Sequence, residues 1–237
     1  MKCIAVIPAR ISSTRLKEKP LVDVGGKPLI QRVYEKALKL NNVAAVVIAT
    51  DSEKIVEAAR MFGADCRLTP SDLKSGSDRV YYTCREFFKD AELIVNLQGD
   101  EPFIDEKFVD RLIEDALQGP DGVYSAYSQV ARETADDSSV VKVVVDRDDY
   151  ALYFSRALIP GGAEIYKKHL GIYIWRADML EKFTRTAPTP LEKTEKLEQL
   201  RVLETGGKIK MKECCSDSLG IDTVEDLELA IRRLDEN

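Results

Sequence analysis

Three cations and a run of hydroxyls follow the first apolar segment of this 237-residue chain. Arg10, Arg15 and Lys19 stand close together, with two serines and a threonine between the two arginines. Arginine forms forked hydrogen bonds to phosphate oxygens, lysine supplies a mobile point charge, and hydroxyls add donors. A solvated surface turn has the same composition, but the stretch 75–79 (SGSDR) again places hydroxyls and a cation before an expected helix. The repetition favours phosphate binding over an ordinary turn.

The distribution of charge fits a small anionic ligand better than a nucleic acid. Residues 1–39 contain nine Lys/Arg and three Asp/Glu, a net charge of +6, although the whole chain has a formal net charge of -6. The remainder therefore carries -12, and the isoelectric point is near 5.1. Nucleic-acid binding usually relies on a broad basic surface, which this composition disfavours.

Asp100 is a candidate metal ligand on its position alone, whereas Asp222 is not. Asp100 follows an apolar run and Gln98-Gly99, and Asp222 lies directly before the last expected helix. Mg²⁺ prefers hard oxygen ligands and needs only one or two carboxylates when phosphates supply the rest. On local sequence alone, Asp222 is better explained by a helix-capping role, and Asp51 after Thr50 could cap a helix in the same way.

Apolar runs that alternate with helical patterns predict the elements that position these side chains. Strands are expected at 3–7, 44–50, 66–68 and 92–97, and helices after Pro28 and over 52–62, 78–88 and 105–117. This alternation predicts an α/β fold with a mostly parallel sheet, and ligands bind outside the carboxyl ends of such strands.

The pattern changes after residue 120. Strands are expected at 122–130, 140–146, 150–154 and 169–175 without helices between them, followed by a helix at 191–204 and a strand near 208–214. The last helix begins with Thr223 and Asp226, which have capping-box spacing. We therefore expect a single domain over 1–237, with a smaller and more antiparallel lobe at about 120–205.

Several classes of protein lack support in this sequence. The glycine fingerprints of dinucleotide-binding proteins and P-loop NTPases are absent, which disfavours a nicotinamide-dependent oxidoreductase. The sequence has no signal-peptide pattern and no apolar run near the ~20 residues that span a bilayer. Its five cysteines are scattered without a C-x-x-C pair, which favours reduced thiols in the cytoplasm.

Motifs spread along nearly the whole chain identify a family. They are IPAR..STRL..KPL (7–21), ATD (49–51), SGSDR (75–79), NLQGDEP (96–102), VKVVVD (141–146), YALYFSRALIP (150–160), HLGIY (169–173), LEQLR (197–201) and GIDTVEDLE (220–228). Together they resemble the 3-deoxy-manno-octulosonate cytidylyltransferases, also called CMP-Kdo synthetases. The resemblance implies a three-layer, Rossmann-like nucleotidyltransferase core with a smaller mixed dimerisation lobe, and therefore a homodimer.

The resemblance also implies a reaction and its site. CTP and 3-deoxy-D-manno-octulosonate (Kdo) would give CMP-Kdo and diphosphate for lipopolysaccharide biosynthesis, by in-line attack of the sugar hydroxyl on the α-phosphorus. Asp100 and Asp222 would hold Mg²⁺, and Arg10, Lys19 and these aspartates would carry the chemistry. The full set of substrate-binding positions is Pro8, Ala9, Arg10, Arg15, Lys19, Thr50, Asp51, Ser75, Ser77, Arg79, Gln98, Arg156, His169, Tyr173, Glu198 and Gln199.

The sequence departs from the family pattern in three places. Lys17-Glu18 stands where the family often has Pro-Gly, Ser77 stands where many members have Thr, and the stretch 161–168 is short. Two alternatives remain open: a cytidylyltransferase for another acidic sugar, such as 8-amino-Kdo or an acylneuraminate, and a non-catalytic CTP-binding regulator. The YFSR and HLGIY stretches favour the octulosonate branch, and the presence of both aspartates favours an enzyme.

Overall fold

A computed structural model describes residues 2–12, 16–216 and 220–235 of the chain. Its strands are β1 (Cys3–Ala9), β2 (Ala45–Thr50), β3 (Cys66–Leu68), β4 (Leu93–Leu97), β5 (Val123–Ala131), β6 (Lys142–Val145), β7 (Ala151–Ser155), β8 (Ile165–Arg176) and β9 (Lys210–Glu213). Its α-helices are α1 (Leu29–Ala37), α2 (Glu53–Met61), α3 (Gly76–Phe87), α4 (Glu106–Gln118), α5 (Arg132–Ala135), α6 (Ala177–Arg185), α7 (Pro190–Glu195), α8 (Leu200–Glu204) and α9 (Val224–Asp235). A short 3₁₀ helix, η1, spans Lys19–Leu21.

The chain forms two compact units. The first comprises Met1–Arg111 with Ser218–Asn237, and the second comprises Leu112–Asp217. None of the described helices combines the length and the apolar character needed to cross a membrane.

The first unit is built on parallel strands in the order β3-β2-β1-β4. The central strands are almost entirely apolar and buried, as strands covered on both faces must be. Helices α1 and α3 both pack on β1 and β2. The predicted α/β fold with a mostly parallel sheet is confirmed, and its strand ends deliver Arg10, Asp51 and Gln98 into the loops that follow.

The helices of the first unit begin within two residues of their predicted starts, but they differ in how they are capped. Ser75 caps α3 by accepting a hydrogen bond from the backbone N–H of Asp78 at 3.1 Å. Ser52 occupies the N-cap position of α2, but its side chain makes no capping hydrogen bond. Its own N–H instead donates to Oγ1 of Thr50 at 3.2 Å, which forms a turn before the helix.

The second unit is a mixed sheet. Strand β8 runs antiparallel to β5 and β6, β7 runs antiparallel to β6, and β9 runs parallel to β5. The pairing of β5 with β8 shifts between Ser125, which faces Tyr173, and Ala126, which faces Leu170. Two extra residues, Gly171 and Ile172, therefore bulge from β8, and such a bulge re-aims the neighbouring side chains.

Three sequence predictions for this unit are wrong in detail. Strand β8 begins at Ile165 rather than at 169, so the short stretch 161–168 is partly strand. Helices α5 and α6 were not predicted. The single helix expected at 191–204 is two helices, because Lys196 adopts the left-handed region (φ 56°, ψ 46°) and ends α7.

Candidate active site

The loops at the carboxyl ends of β1 and β4 line a pocket of about 340 Å³ in the first unit. Pockets that bind small ligands usually have volumes of about 300–1,000 Å³, so this one lies at the lower end of that range. Seven of the predicted site residues line it: Pro8, Ala9, Arg10, Lys19, Gln98, Asp100 and Asp222. Four further residues line it: Ser12, Pro20, Gly76 and Gly99. Of these, only Ser12 was expected as a donor, as one of the hydroxyls between the two arginines. The pocket thus brings together residues from both ends of the sequence.

Lys19 lies between the two predicted metal ligands. Its Nζ donates to Oδ2 of Asp100 at 2.5 Å and to Oδ1 of Asp222 at 2.8 Å. These two carboxylate oxygens are therefore no more than about 5.3 Å apart, the sum of the two distances. The prediction that Asp100 and Asp222 lie close together is confirmed, although 122 positions (222 minus 100) separate them in sequence.

The ion pairs outweigh the cost of burying the lysine. The side chain of Lys19 is only 17% exposed, and those of Asp100 and Asp222 are 28% and 40% exposed. Burial alone lowers the pKa of Lys19, but the charges and hydrogen bonds of the two aspartates raise it above its ordinary value. The lysine is therefore a permanent cation in this pocket.

Local hydrogen bonds explain how the two aspartates meet. The carbonyl of Asp100 accepts a hydrogen bond from the N–H of Ile221 at 2.9 Å, which ties the segment before α9 to the end of β4. Thr223 and Asp226 form the predicted capping box, with reciprocal bonds of 2.9 and 3.2 Å. Because these two residues cap α9, the carboxylate of Asp222 is not needed for that role and instead binds Lys19.

The residue before Lys19 has a backbone conformation that favours glycine. Glu18 lies in the left-handed region (φ 49°, ψ 38°), which costs a side-chain-bearing residue about 1–2 kcal/mol. Its carboxylate pairs with Nζ of Lys54 at 2.5 Å, and its carbonyl accepts from the N–H of Leu21 at 2.8 Å. These contacts hold the turn, so Lys19 reaches the pocket without the Pro-Gly that the family often has.

The donor set fits a hard divalent cation. Asp100 and Asp222 offer carboxylate oxygens near enough to share one ion once Lys19 moves aside, and Mg²⁺ usually takes one or two carboxylates with phosphate oxygens and waters. Within residues 2–12, 16–216 and 220–235, no cluster of three or more His, Cys, Asp or Glu could hold a metal ion. A metal here would therefore rely on ligands from the substrate.

The predicted phosphate-binding arginines have different outcomes. Arg10 lines the pocket, and its guanidinium donates to the carbonyl of Leu73 at 2.9 Å. This bond fixes the side chain and leaves other N–H groups of the fork for a ligand. Arg15 lies outside the described residues, so its predicted role stays a prediction.

Arg79 and Asp51 pair with each other. The Arg79 side chain is fully buried, and it donates to Oδ2 of Asp51 at 2.7 Å and to the hydroxyl of Thr69. Thr69 also donates to the carbonyl of Thr50 from both its N–H and its hydroxyl, at 2.7 and 3.0 Å. Arg79, Asp51 and Thr50 are not among the residues that line the pocket, and they form a buried network with Thr69.

The start of α3 contributes backbone to the pocket. Gly76 lines it, whereas the neighbouring Ser75 caps the helix and Ser77 is buried. Gly99 has a steric role, because a Cβ there would lie 3.1 Å from the carbonyl oxygen of Pro8. Glycine thus permits a close approach of the chain after β4 to the chain after β1.

In the second unit, Arg156 is fixed through both its backbone and its side chain. Its N–H donates to Oε2 of Glu195 at 3.1 Å, and its Nε donates to the carbonyl of Glu195 at 3.3 Å. Another guanidinium N–H donates to the carbonyl of Ser138 at 3.1 Å. Among the described residues, two of the five guanidinium N–H groups are used in these bonds, which leaves three for an anion.

A buried lysine fixes the same strand end. Lys142 is fully buried in β6, and its Nζ donates to the carbonyls of Arg156 at 2.5 Å, Val140 at 2.8 Å and Asp137 at 3.4 Å. Burial lowers the pKa of Lys142. Its three carbonyl partners explain how an ammonium group is accommodated in the core without a carboxylate in direct contact.

The single histidine lies in an aromatic and hydroxyl environment. The ring of His169 is 5.1 Å from that of Phe154 and 5.4 Å from that of Tyr173, and its Nε2 is 3.1 Å from Oγ of Ser125. The bulge in β8 explains why the two rings are close. His169 faces Tyr127 and Tyr173 faces Ser125, so these residues lie opposite positions only two apart on β5. Burial lowers the pKa of His169 to about 3, so the imidazole is neutral at pH 7.

Three predicted sugar-site residues remain: Tyr173, Glu198 and Gln199. Tyr173 is buried, and its pKa is raised first by burial and then by the charge of Glu198. Gln199 is 7% exposed. Both Glu198 and Gln199 occupy the turn between α7 and α8.

A buried ion pair sets that turn. Arg201 on α8 donates to both carboxylate oxygens of Glu192 on α7, at 2.7 and 2.5 Å, and also to the carbonyls of Phe183 and Thr186. Its guanidinium lies 4.2 Å from the centre of the Phe183 ring. This bidentate pair holds the two helices together and so positions the residues between them.

Sequence reasoning missed Ser125, Lys142 and Glu195. A charged residue inside the apolar run VKVVV marks Lys142 as unusual, because buried lysines require dedicated partners. Neither Ser125 nor Glu195 has such a signal, since their roles depend on partners 44 and 39 positions away.

The chain is similar to known cytidylyltransferases along nearly its whole length. A protein-family model described as "Cytidylyltransferase" matches residues 4–210. The 3-deoxy-manno-octulosonate cytidylyltransferase of Geobacter metallireducens is 39% identical, covering 99% of this chain and 98% of that protein. The protein of the same name from Chloroherpeton thalassium is 42% identical, covering 96% and 95%. The Zea mays protein of that name is 41% identical and matches 96% of this chain over 79% of its own length.

Solved structures agree with the sequence relatives. The structure of CMP:2-keto-3-deoxy-manno-octonic acid synthetase complexed with CTP has a TM-score of 0.93 and 37% identity, covering 100% of this chain and 99% of that one. A putative glucose-1-phosphate thymidylyltransferase from Bacillus anthracis has a TM-score of 0.74 at 16% identity, covering 99% and 96%. The second similarity shows the fold alone.

Proposed function

Because the chain belongs to the cytidylyltransferase family, we propose that it transfers the cytidylyl group of CTP to Kdo, giving CMP-Kdo and diphosphate. The observation that carries the proposal is the pocket in which Lys19 bridges Asp100 and Asp222. It combines a fixed cation for phosphates with a carboxylate pair for a metal. The sequence relatives named for this reaction match nearly the whole chain and support the choice of substrates.

The first unit handles the triphosphate. Arg10 and Lys19 supply positive charge, and Gly76 and Gly99 line the pocket without adding side chains to it. Phosphoryl transfer needs positioning and charge neutralisation more than covalent chemistry by the protein. Lys19 is suited to neutralise the departing diphosphate because it remains protonated.

Asp100 and Asp222 hold Mg²⁺ in this proposal. When bound, the ion neutralises phosphate oxygens and lowers the pKa of an oxygen it contacts. The two carboxylates would hold the ion at the pocket, and Lys19, once released from them, would pair with the phosphates. The support for this exchange is the contact of one lysine with both acids.

The second unit binds the sugar acid. The three N–H groups left on Arg156 suit a carboxylate or hydroxyls, and neutral His169 suits a hydroxyl. Glu198 and Gln199 add polar groups on a turn held by a buried ion pair. We further propose that the enzyme acts as a homodimer in the cytoplasm, where five unpaired cysteines are stable, and that its product serves lipopolysaccharide biosynthesis.

The test is diphosphate release with CTP, UTP, GTP or ATP against Kdo, 8-amino-Kdo and N-acetylneuraminate. We expect the highest kcat/KM for CTP with Kdo, and a large loss in Lys19→Ala but not in Lys17→Ala, since Lys17 is exposed and outside the pocket. Faster turnover of another sugar acid would identify that acid, and not Kdo, as the substrate. Tight CTP binding without diphosphate release from any pair would instead support a non-catalytic CTP-binding protein.

A further inference from the structure

The hydroxyl of Ser125 has two partners and only one proton. It is fully buried in β5, where its Oγ lies 2.8 Å from the carbonyl oxygen of Ile172 and 3.1 Å from Nε2 of His169. A carbonyl oxygen can only accept a hydrogen bond, so the serine proton is directed to Ile172. The serine oxygen must then accept a hydrogen bond from the histidine.

The acceptor role of Ser125 fixes the histidine tautomer. In neutral imidazole one ring nitrogen carries the proton and the other carries a lone pair, and the partner of one nitrogen selects the state of both. A proton on Nε2 satisfies Ser125, and Nδ1 is left as the acceptor. The opposite tautomer would require the serine to donate to Nε2, which would deprive the buried carbonyl of Ile172 of its hydroxyl donor.

The fold builds this arrangement through the bulge. Ile172 is one of the two residues that bulge from β8, and its carbonyl turns toward Ser125 because the regular ladder is interrupted there. The same bulge brings His169 and Tyr173 to 5.4 Å, and Phe154 packs edge-on against the imidazole at 5.1 Å. The ring is therefore held by two aromatic neighbours and one hydrogen bond.

We propose that Ser125 is a positioning residue that holds His169 in its Nε2–H tautomer, so that Nδ1 accepts a hydrogen bond from a hydroxyl of the sugar acid. This inference rests on the proposed function for the identity of the ligand, but the tautomer itself does not. The neutral Nδ1 can accept a hydrogen bond from a hydroxyl but does not attract the carboxylate of the sugar acid. Recognition of that charge is therefore left to Arg156. Burial keeps the imidazole neutral across the physiological pH range, in agreement with this role.

The chain offers a direct measurement because it contains one histidine. Labelling with ¹⁵N-histidine gives signals from His169 alone, and couplings of the ring protons to Nδ1 and Nε2 report which nitrogen is protonated. We expect a single Nε2–H tautomer at pH 7 without substrate. Wild-type enzyme with the proton on Nδ1 would overturn the proposal without any variant, and it would leave the proposed reaction untouched.

Ser125→Ala removes the acceptor. We expect the two ¹⁵N shifts to move toward each other as both tautomers become populated, and KM for Kdo to rise about tenfold, which is the loss expected for one positioned hydrogen bond. KM for CTP should stay within about twofold. Ser125→Thr, which retains the hydroxyl, should keep the single tautomer.

Ser128→Ala is the matched control, since it makes the same change three residues along β5 in a position opposite Lys168. It should alter neither the ¹⁵N shifts nor KM for Kdo. Unchanged shifts together with an unchanged KM for Kdo in Ser125→Ala would overturn the positioning role. If wild-type enzyme releases no diphosphate from CTP and Kdo, the proposed function fails, and the NMR result still decides the tautomer.

Discussion

Replacing Lys19 by methionine should have opposite effects on two ligands. The variant should bind a divalent cation more tightly than wild type in the absence of nucleotide, and it should bind CTP more weakly. The reason is that Lys19 now satisfies both Asp100 and Asp222, so a metal ion must displace it before the carboxylates are available. Methionine has a similar length and no charge, so the substitution removes the competitor while retaining most of the packing.

The expected size follows from the contacts. A hydrogen bond to a charged group contributes about 1.5–3 kcal/mol, and Lys19 makes two, one to each aspartate. The aspartates are 28% and 40% exposed, so solvent screening reduces this contribution substantially. If removal of Lys19 makes the free energy of metal binding more favourable by about 1.4 kcal/mol, the metal binds about tenfold more tightly. CTP should bind at least about tenfold more weakly, because the triphosphate loses a charge-assisted partner.

Mn²⁺ is a suitable probe, since it accepts the same oxygen ligands and its free concentration is measured by electron paramagnetic resonance. The titration is made with and without CTP in wild type, Lys19→Met and Lys17→Met. Lys17→Met removes the same charge from an exposed neighbour and controls for the long-range field. In wild type, CTP should increase Mn²⁺ affinity by drawing Lys19 away from the carboxylates, and this coupling should be smaller in Lys19→Met. Equal or weaker Mn²⁺ binding by Lys19→Met without nucleotide would refute the reasoning.

Three further predictions concern the candidate site. Arg156→Ala should raise KM for Kdo at least about tenfold through the loss of a charged pair, with little change in KM for CTP. Arg147→Ala, at an exposed position, should change neither KM. A selective loss of CTP binding in Arg156→Ala would contradict the assignment. Asp100→Asn and Asp222→Asn should each lower kcat at least about 100-fold, and the double variant should lose far less than the product, which steady-state kinetics will show. The third prediction concerns pH: because burial lowers the pKa of His169 from 6.5 to about 3, the stability it contributes is present above pH 6.5 and is lost as the pH falls toward 3. The stability advantage of wild type over His169→Asn in urea unfolding should therefore shrink by about 1–3 kcal/mol from pH 7 to pH 4, and a constant difference would count against it.

The sequence predicts the first unit well because its signals are local. The apolar runs that became β1, β2 and β4 are nearly uninterrupted, and parallel strands covered on both faces need such runs. Polar residues immediately after these strands were therefore expected at one edge of the sheet, and Arg10, Gln98 and Asp100 do line one pocket. The assignment of Asp222 to the site required the family resemblance, because its local sequence is better explained by a cap.

The second unit was harder to predict because its geometry depends on irregularities. A left-handed residue at Lys196 divides a continuous helical pattern, and nothing in its side chain requires that conformation. A two-residue bulge in β8 alters which residues face one another, and periodicity cannot reveal a bulge when the strand remains apolar on both sides of it. The helix α6 follows β8 without a break, so its start has no turn signal.

The three residues of the second unit that sequence reasoning missed share one property: each contacts a predicted site residue. Lys142 binds the backbone carbonyl of Arg156, Glu195 binds its backbone N–H, and Ser125 contacts the histidine. A family motif marks the side chain that meets the substrate, but the supporting partner can be any donor or acceptor that the fold brings within 3 Å or so. Support of this kind is a property of tertiary structure. It follows that a chain with all of its motif residues intact could still lose sugar recognition through a change at Ser125 or Glu195, and that motif matching alone would not detect the loss.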